Sequence, residues 1–134
     1  MTNPPSFVRV SSGFEALERL RAGEQIDLII TMFNIGEMDV FSLSRRVRAQ
    51  WPGIPFVLMS SFSREVARRV VEADTSAIDY MFSWQGNADL ILAIIKMLED
   101  RMNAREDILG IGVQAILLVE DNVRFYSAYL PDLY

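Results

Sequence analysis

The chain has 134 residues, of which 51% are hydrophobic and 23% are charged, and its formal net charge is −5. This length and composition favour one compact domain over a disordered chain. The sequence contains neither cysteine nor histidine, which excludes thiol catalysis, disulfides, Cys/His zinc sites, Ser-His-Asp triads and transfer through phosphohistidine. The acidic balance, with no long basic tract, argues against nucleic acid as a partner.

Sequence features also bear on location. Residues 1–5 have neither the basic nor the apolar region of a signal peptide, and no apolar run approaches the roughly 20 residues that a membrane span requires. The absence of cysteine gives no sign of an oxidising compartment. These features predict a cytoplasmic protein without a membrane partner.

The first half of the chain alternates strand and helix patterns. Residues 26–32 form an almost continuous apolar run, typical of a strand buried on both faces of a parallel sheet. Phe14, Leu17 and Leu20 share one helical face, and so do Leu43 and Val47. The predicted elements are a strand over residues 6–11, a helix from residue 14 to 20, a strand over 26–32, a loop over 33–39, and a helix over 40–50 with Arg45, Arg46 and Arg48 outward.

The second half continues the alternation. Ser63 is a good N-cap for a helix whose apolar side carries Val66, Val70 and Val71, and a longer helix repeats apolar residues at helical spacing. The predicted elements are a strand over residues 55–60, a helix to about residue 73, a strand over 77–82, a helix over 89–102, a connector over 103–112, a strand over 113–119 and a helix over 122–134.

This order of elements predicts an α/β fold with a doubly wound parallel sheet and right-handed crossovers. In such sheets the functional residues lie at the carboxyl ends of the strands. The residues that follow the predicted strands are Ser11 and Ser12, then Met32 to Asn34, Ser60 and Ser61, Ser83 and Trp84, and finally Glu120 and Asp121.

The segment 27–48 (DLIITMFNIGEMDVFSLSRRVR) resembles the third strand, loop and third helix of response-regulator receiver domains of two-component signalling. In that family the strand ends in aspartate, followed by two residues, Met-Pro, one residue and Met-Asp-Gly. Met32 occupies the position of the phosphoryl-accepting aspartate, and Asn34 that of the residue whose carbonyl ligates Mg²⁺. Of the other positions, Met38 and Asp39 match the pattern, whereas Gly36 and Val40 depart from it.

Two further segments resemble the same family. Residues 54–61 look like its fourth strand, with Ser60 at the switch Ser/Thr position, and residues 79–84 look like its fifth, with Tyr80 at the switch aromatic. Ser83 stands where the family has lysine. The resemblance implies a flavodoxin-like, five-stranded sheet with strand order 2-1-3-4-5.

Met32 and Ser83 replace two residues that phosphoryl transfer requires in the family that this chain resembles. Phosphoryl transfer to aspartate needs a carboxylate nucleophile, a bound Mg²⁺ and a cation that neutralises the phosphoryl oxygens. A thioether has no nucleophilic oxygen, and a serine hydroxyl carries no charge. The sequence therefore predicts a degenerate receiver that is not an enzyme and that binds protein partners, such as an output domain or a kinase, through residues 63–102.

The first strand expected of a receiver is missing near residue 1, but residues 115–122 (AILLVEDN) resemble it, including its acidic pair Glu120 and Asp121. The predicted organisation is a receiver without its first strand and helix over residues 1–102, a linker over 103–112, and that strand and helix over 113–134. Residues 113–119 are expected to insert between the strands at Phe7 and Leu28, within one chain or swapped between two.

Two explanations of this order stay open: a circularly permuted receiver, or a fragment of a tandem-receiver protein. The second is supported by a weaker resemblance to the N-terminal tandem receivers of proteins with a PEP/pyruvate-binding domain. In that alternative the chain belongs to a phosphorelay whose competent acceptor aspartate lies beyond Tyr134. A homodimer, by swapping or through the last helices, is a further possible partner arrangement.

Cofactor expectations are limited to a weak Mg²⁺ site at Glu120 and Asp121, because the third carboxylate is absent at Met32. A small flavodoxin-like enzyme is disfavoured, because the sequence has no Gly-rich loop for a phosphate or a flavin.

Trp84 is equally compatible with an interface anchor and with packing on a helix.

Overall fold

The computed structural model describes residues 6–60, 64–83, 88–105 and 115–119. Within these ranges strands and helices alternate along the chain, as the apolar patterns predict. The elements are β1 (Ser6–Val10), α1 (Gly13–Arg21), β2 (Leu28–Met32), α2 (Val40–Gln50), β3 (Phe56–Ser60), α3 (Arg64–Glu72), β4 (Tyr80–Ser83), α4 (Ala88–Arg105) and β5 (Ala115–Val119).

The five strands form one parallel sheet in the order β1-β5-β2-β3-β4. The predicted α/β architecture with a five-stranded parallel sheet is confirmed. Numbered along the chain, the order differs from the expected 2-1-3-4-5, because the strand that lies between β1 and β2 comes last in the chain. The predicted helix over residues 122–134 lies outside the described residues.

Strand β5 lies between β1 and β2, the position expected for residues 113–119. Its register pairs Phe7 with Ile116 on one side and Leu28 with Ile116 on the other. Ile116 to Val119 are all fully buried. Because both edges of β5 are paired, its backbone amides and carbonyls are satisfied within the sheet.

An aspartate just before a strand fixes the start of the neighbouring strand at two places. The Asp27 carboxylate accepts a hydrogen bond of 2.9 Å from the Ala115 amide, and the Asp27 amide donates to the Ala115 carbonyl at 2.9 Å. Asp79 does the same for Phe56, at 2.7 Å through its carboxylate and 2.9 Å through its amide. These two contacts set the registers of β5 against β2 and of β4 against β3.

Apolar side chains cover both faces of the sheet. On one face, Leu117 and Val119 of β5 join the cluster that includes residues of α1 and α2. On the other face, Ile116 and Leu118 pack with Ile91, Ile94, Ile95 and Leu98 of α4. The alternation of β5 side chains between the two clusters follows from the two-residue period of a strand.

Two predicted inward side chains point outward. Phe14 is 52% exposed because the buried stripe of α1 begins at Gly13 and continues through Ala16, Leu17 and Leu20. A Cβ at Gly13 would lie 2.9 Å from Met38 Sδ, so only glycine fits this contact without rearrangement. Val71 is 84% exposed, since it lies one residue, or about 100° of helical rotation, beyond the partly buried Val70.

Some element boundaries also differ from the predictions. β4 begins at Tyr80 and not near residue 77, because the Ile78 amide donates to the Thr75 carbonyl in a turn that precedes the strand. Helix α4 continues to Arg105, into the predicted connector. No helix within the described ranges has the length and apolarity needed to cross a membrane.

Candidate functional site

The carboxyl ends of β2, β3 and β4 bring three of the predicted site residues to one edge of the sheet. Met32 on β2 pairs with Met59 on β3. The next residue of β3, Ser60, pairs with Ser83 on β4. Ser60 is buried at 6% exposure, Met32 is partly buried and Ser83 is exposed. The edge that the sequence assigned to a phosphorylation pocket therefore carries a thioether and two hydroxyls.

The end of β5 reaches the same edge. Val119 pairs with Val10 on one side and with Thr31, the residue before Met32, on the other. Glu120 and Asp121, for which the sequence predicts a weak Mg²⁺ site, lie outside the described residues, as do Ser61, Ser63 and Trp84. Within the described ranges, no group of three or more acidic, cysteine or histidine side chains is placed to hold a metal.

The serines after β1 serve the helix that follows. The Ser12 hydroxyl accepts a hydrogen bond from the Glu15 amide at 3.1 Å. The Ser11 amide and hydroxyl both donate to the Glu15 carboxylate at 3.1 Å. This is a capping arrangement that satisfies groups at the start of α1, so it accounts for both serines without a ligand.

The loop after β2 places Asn34 and Asp39 at the surface, with Ile35 and Met38 buried between them. Gly36 has a φ of +89°, a left-handed conformation that glycine adopts without strain. This conformation lets the loop alternate exposed and buried side chains over a few residues. Asn34 is thus exposed at the position that the resemblance assigns to a carbonyl ligand.

Asp39 begins α2 as its N-cap. Its carboxylate accepts hydrogen bonds from the Ser42 amide at 2.8 Å and from the Ser42 hydroxyl at 3.2 Å. Burial raises the pKa of the Asp39 carboxyl, but these bonds, the Phe41 amide and the charge of Arg45 together lower that pKa below its usual value. Asp39 is therefore ionised at neutral pH and committed to the helix cap.

Tyr80, the predicted switch aromatic, is partly buried on β4. Its ring stacks on that of Phe82, with 6.2 Å between the ring centroids. Both side chains pack against the cluster between the sheet and α4. The aromatic thus lies on the face of the sheet that α4 covers.

An arginine and two aromatic rings connect α3 to the loop after β2. Arg69 Cζ lies 5.0 Å from the Phe33 ring centroid, and Phe33 meets Phe41 edge to face at 5.9 Å. The sequence analysis made no prediction for Arg69 and missed this contact. An arginine close in space to a phenylalanine 36 positions earlier leaves no periodic signal.

The Arg69–Phe33 contact matters because α3 has no buried residue of its own. Val66, Val70 and Ala73 are only partly buried against the core. A cation–π contact at an exposed site contributes about 0.5–1 kcal/mol, which adds to the packing of these three residues. The contact therefore couples the position of α3 to the loop that begins after Met32.

We expect Arg69→Ala to increase amide hydrogen exchange across α3 by about two- to fivefold, because 0.5–1 kcal/mol of local stability is lost. Arg68→Ala is the matched control, since Arg68 is an exposed arginine on the same helix. Equal exchange in the two variants would contradict the coupling. Exchange in α4 is the internal reference and should not change.

A comparison with solved structures finds a similar fold. The signal receiver domain of an HD domain-containing protein from Pseudomonas fluorescens Pf-5 matches this chain with a TM-score of 0.56 and 20% sequence identity, over 81% of this chain and 96% of that one. This likeness establishes that the chain has the fold of a signal receiver domain. No protein-family model and no curated protein matches the sequence.

Proposed function

We propose that this chain is a signalling receiver module that is not phosphorylated at the usual position and that acts by binding protein partners. The observation that carries the proposal is Met32 at the carboxyl end of β2, in a sheet with the receiver fold. A thioether has no nucleophilic oxygen to attack a phosphoryl group. Ser83, at the end of β4, has no positive charge, so it cannot neutralise the charge of a phosphoryl group.

The place of β5 supports the assignment of residues 115–121 to this same domain. Its pairing with β1 and β2 carries the chain toward the edge where Met32 and Ser60 lie. Glu120 and Asp121 follow directly in the sequence. We assign them to the acidic corner of the degenerate pocket, where without a third carboxylate they bind Mg²⁺ weakly.

The surface of α3, β4 and α4 is the proposed partner-binding face. It carries two exposed large apolar side chains, Val71 at 84% and Leu92 at 43%, and β4 contributes the stacked pair of Tyr80 and Phe82. Exposed apolar side chains and partly buried aromatics of this kind are features of protein contact surfaces. A signalling output domain or a kinase is the partner class that this role requires.

Incubation with acetyl phosphate and Mg²⁺, followed by intact-mass spectrometry, tests the missing chemistry. We expect no phosphoryl adduct on the native chain. The variant Met32→Asp/Ser83→Lys restores the nucleophile and the cation, and we expect it to gain one phosphoryl group. Adding Asp121→Asn to that variant should abolish the adduct, because the Mg²⁺ site loses a carboxylate.

The outcomes separate the two parts of the proposal. A phosphoryl adduct on the native chain that maps to the edge formed by Met32, Ser60 and Ser83 would overturn the claim that this position is not phosphorylated. A folded Met32→Asp/Ser83→Lys variant that takes up no phosphoryl group would instead overturn the assignment of Glu120 and Asp121 to this pocket. The Met32→Asp single variant, which still lacks the cation, is the matched control and should label far less.

A further inference from the structure

Strand β5 makes most of its contacts with parts of the chain that are far away in the sequence. The Ala115 amide and the Asp27 carboxylate that it meets are 88 positions apart, and all five β5 residues pair with β1. We infer that β5 is an exchangeable strand, and that its partner is a second copy of this chain, so that two copies form a closed dimer by inserting β5 into each other's sheet. This inference goes beyond the proposed function and does not depend on it.

The slot between β1 and β2 is selective for this strand. Its two faces require aliphatic side chains in alternation, since Leu117 and Val119 enter one cluster and Ile116 and Leu118 the other. At the end of the slot where β5 begins, the Asp27 carboxylate accepts a hydrogen bond of 2.9 Å from the first amide of β5, that of Ala115. A second copy supplies the same strand with the same register, so every contact of β5 is retained after exchange.

The single chain with its own β5 and the exchanged dimer therefore contain the same contacts of β5. Their free energies differ only through the conformation of the connector and the entropy of association. Residues 106–114 separate the end of α4 from the start of β5, and nine residues span at most about 30 Å. A short connector gives the chain's own β5 an effective concentration of about 1 mM at the slot. Exchange is then expected to become substantial as the chain concentration approaches that value.

Exchange also has a consequence for the candidate site. Val119 pairs with Thr31, the residue before Met32. In an exchanged dimer, Met32 would come from one chain and the neighbouring Val119 from the other, at each of the two sheet edges that carry the candidate site. The residues that follow Val119 would then also come from the second copy. In the exchanged dimer, each such edge therefore depends on the association of the two copies.

The absence of cysteine from the chain allows a specific crosslinking test. Ser6 and Ala115 are register partners across β1 and β5, and Ser6 is exposed while Ala115 is partly buried. The single variants Ser6→Cys and Ala115→Cys are mixed, unfolded, refolded together by dialysis and treated with a short bismaleimide. A covalent heterodimer forms only where β5 of one variant lies beside β1 of the other.

We expect the crosslinked fraction to be about tenfold higher after refolding at about 1 mM than at about 10 µM. A mixture of Ser6→Cys with Lys96→Cys is the control for random collision, because Lys96 is exposed on α4, and it should crosslink little at either concentration. The double variant Ser6→Cys/Ala115→Cys at about 10 µM should crosslink within one chain, which verifies the register.

The inference fails if the mixed variants crosslink no more than the control at about 1 mM while the double variant still closes within one chain. It also fails if the double variant does not crosslink at all, because β5 then does not lie beside β1. The first result leaves the acetyl phosphate experiment unaffected, because β5 then still lies beside β1 within one chain and that experiment reports on Met32, Ser83 and Asp121. Failure of exchange and failure of the proposed function are therefore distinguishable.

Discussion

Replacing Leu117 with alanine is expected to lower the free energy of unfolding by about 2–5 kcal/mol, the range for leucine-to-alanine changes in well-packed cores. Leu117 is fully buried at the centre of β5. Its side chain lies in the cluster formed with α1 and α2, so its removal leaves a cavity between the sheet and those helices. Urea unfolding followed by circular dichroism measures the change.

Leu92→Ala is the matched control, because Leu92 is 43% exposed on α4, whereas Leu117 is fully buried. We expect that variant to stay within about 0.5 kcal/mol of the native chain. The comparison tests the insertion of β5 directly, since a strand outside the sheet would make the two leucines equivalent. Equal and small losses from both variants would contradict the fold described above.

Asp79→Ala is expected to lower the free energy of unfolding by about 1–3 kcal/mol, because the Phe56 amide loses its hydrogen-bond acceptor in a part-buried position. Arg48→Ala should cost no more than about 1 kcal/mol, although it breaks a contact of 2.6 Å with the same carboxylate. The reason is that the ion pair is solvent-accessible, with side chains 38% and 31% exposed.

Asp100→Ala controls for the loss of an exposed aspartate, and its effect on unfolding should be small. If Arg48→Ala proves as damaging as Asp79→Ala, then the contacts of Arg48 with Asp79 and with the Ala77 carbonyl contribute more to stability than the bond to the Phe56 amide. Thermal unfolding of the three variants under one buffer condition gives the ranking. Because the Asp79–Arg48 contact is exposed, added salt should weaken it and leave the Asp79–Phe56 bond largely unaffected.

The sheet was predictable because a strand buried on both faces leaves an almost continuous apolar run. Residues 26–32 and 113–119 show such runs, and β2 and β5 occupy the centre of the sheet. The insertion of β5 followed from a physical requirement: a parallel sheet without the strand between β1 and β2 would leave unpaired backbone in the core. The positions of Met32, Ser60 and Ser83 at one edge then followed from strand direction alone.

Contacts between side chains on different elements were not predictable in the same way. Arg48 contacts Asp79 and Arg69 lies on Phe33, but neither pair has a characteristic spacing in the sequence. The outward positions of Phe14 and Val71 were missed because an apolar residue near the edge of a helical stripe satisfies the pattern about as well as one at its centre. Only the packing of Gly13 on Met38 and the partial burial of Val70 show where those stripes lie.

The order of the strands also bears on the rate at which this domain folds. Strand β5 pairs with residues about a hundred positions away, which gives the fold a high contact order, and folding rates fall as contact order rises. During synthesis, β1 to β4 and the helices between them leave the ribosome before β5 exists. Until β5 arrives, β1 and β2 both present unpaired edges, so this interval is when the chain is most exposed to aggregation and most dependent on chaperones.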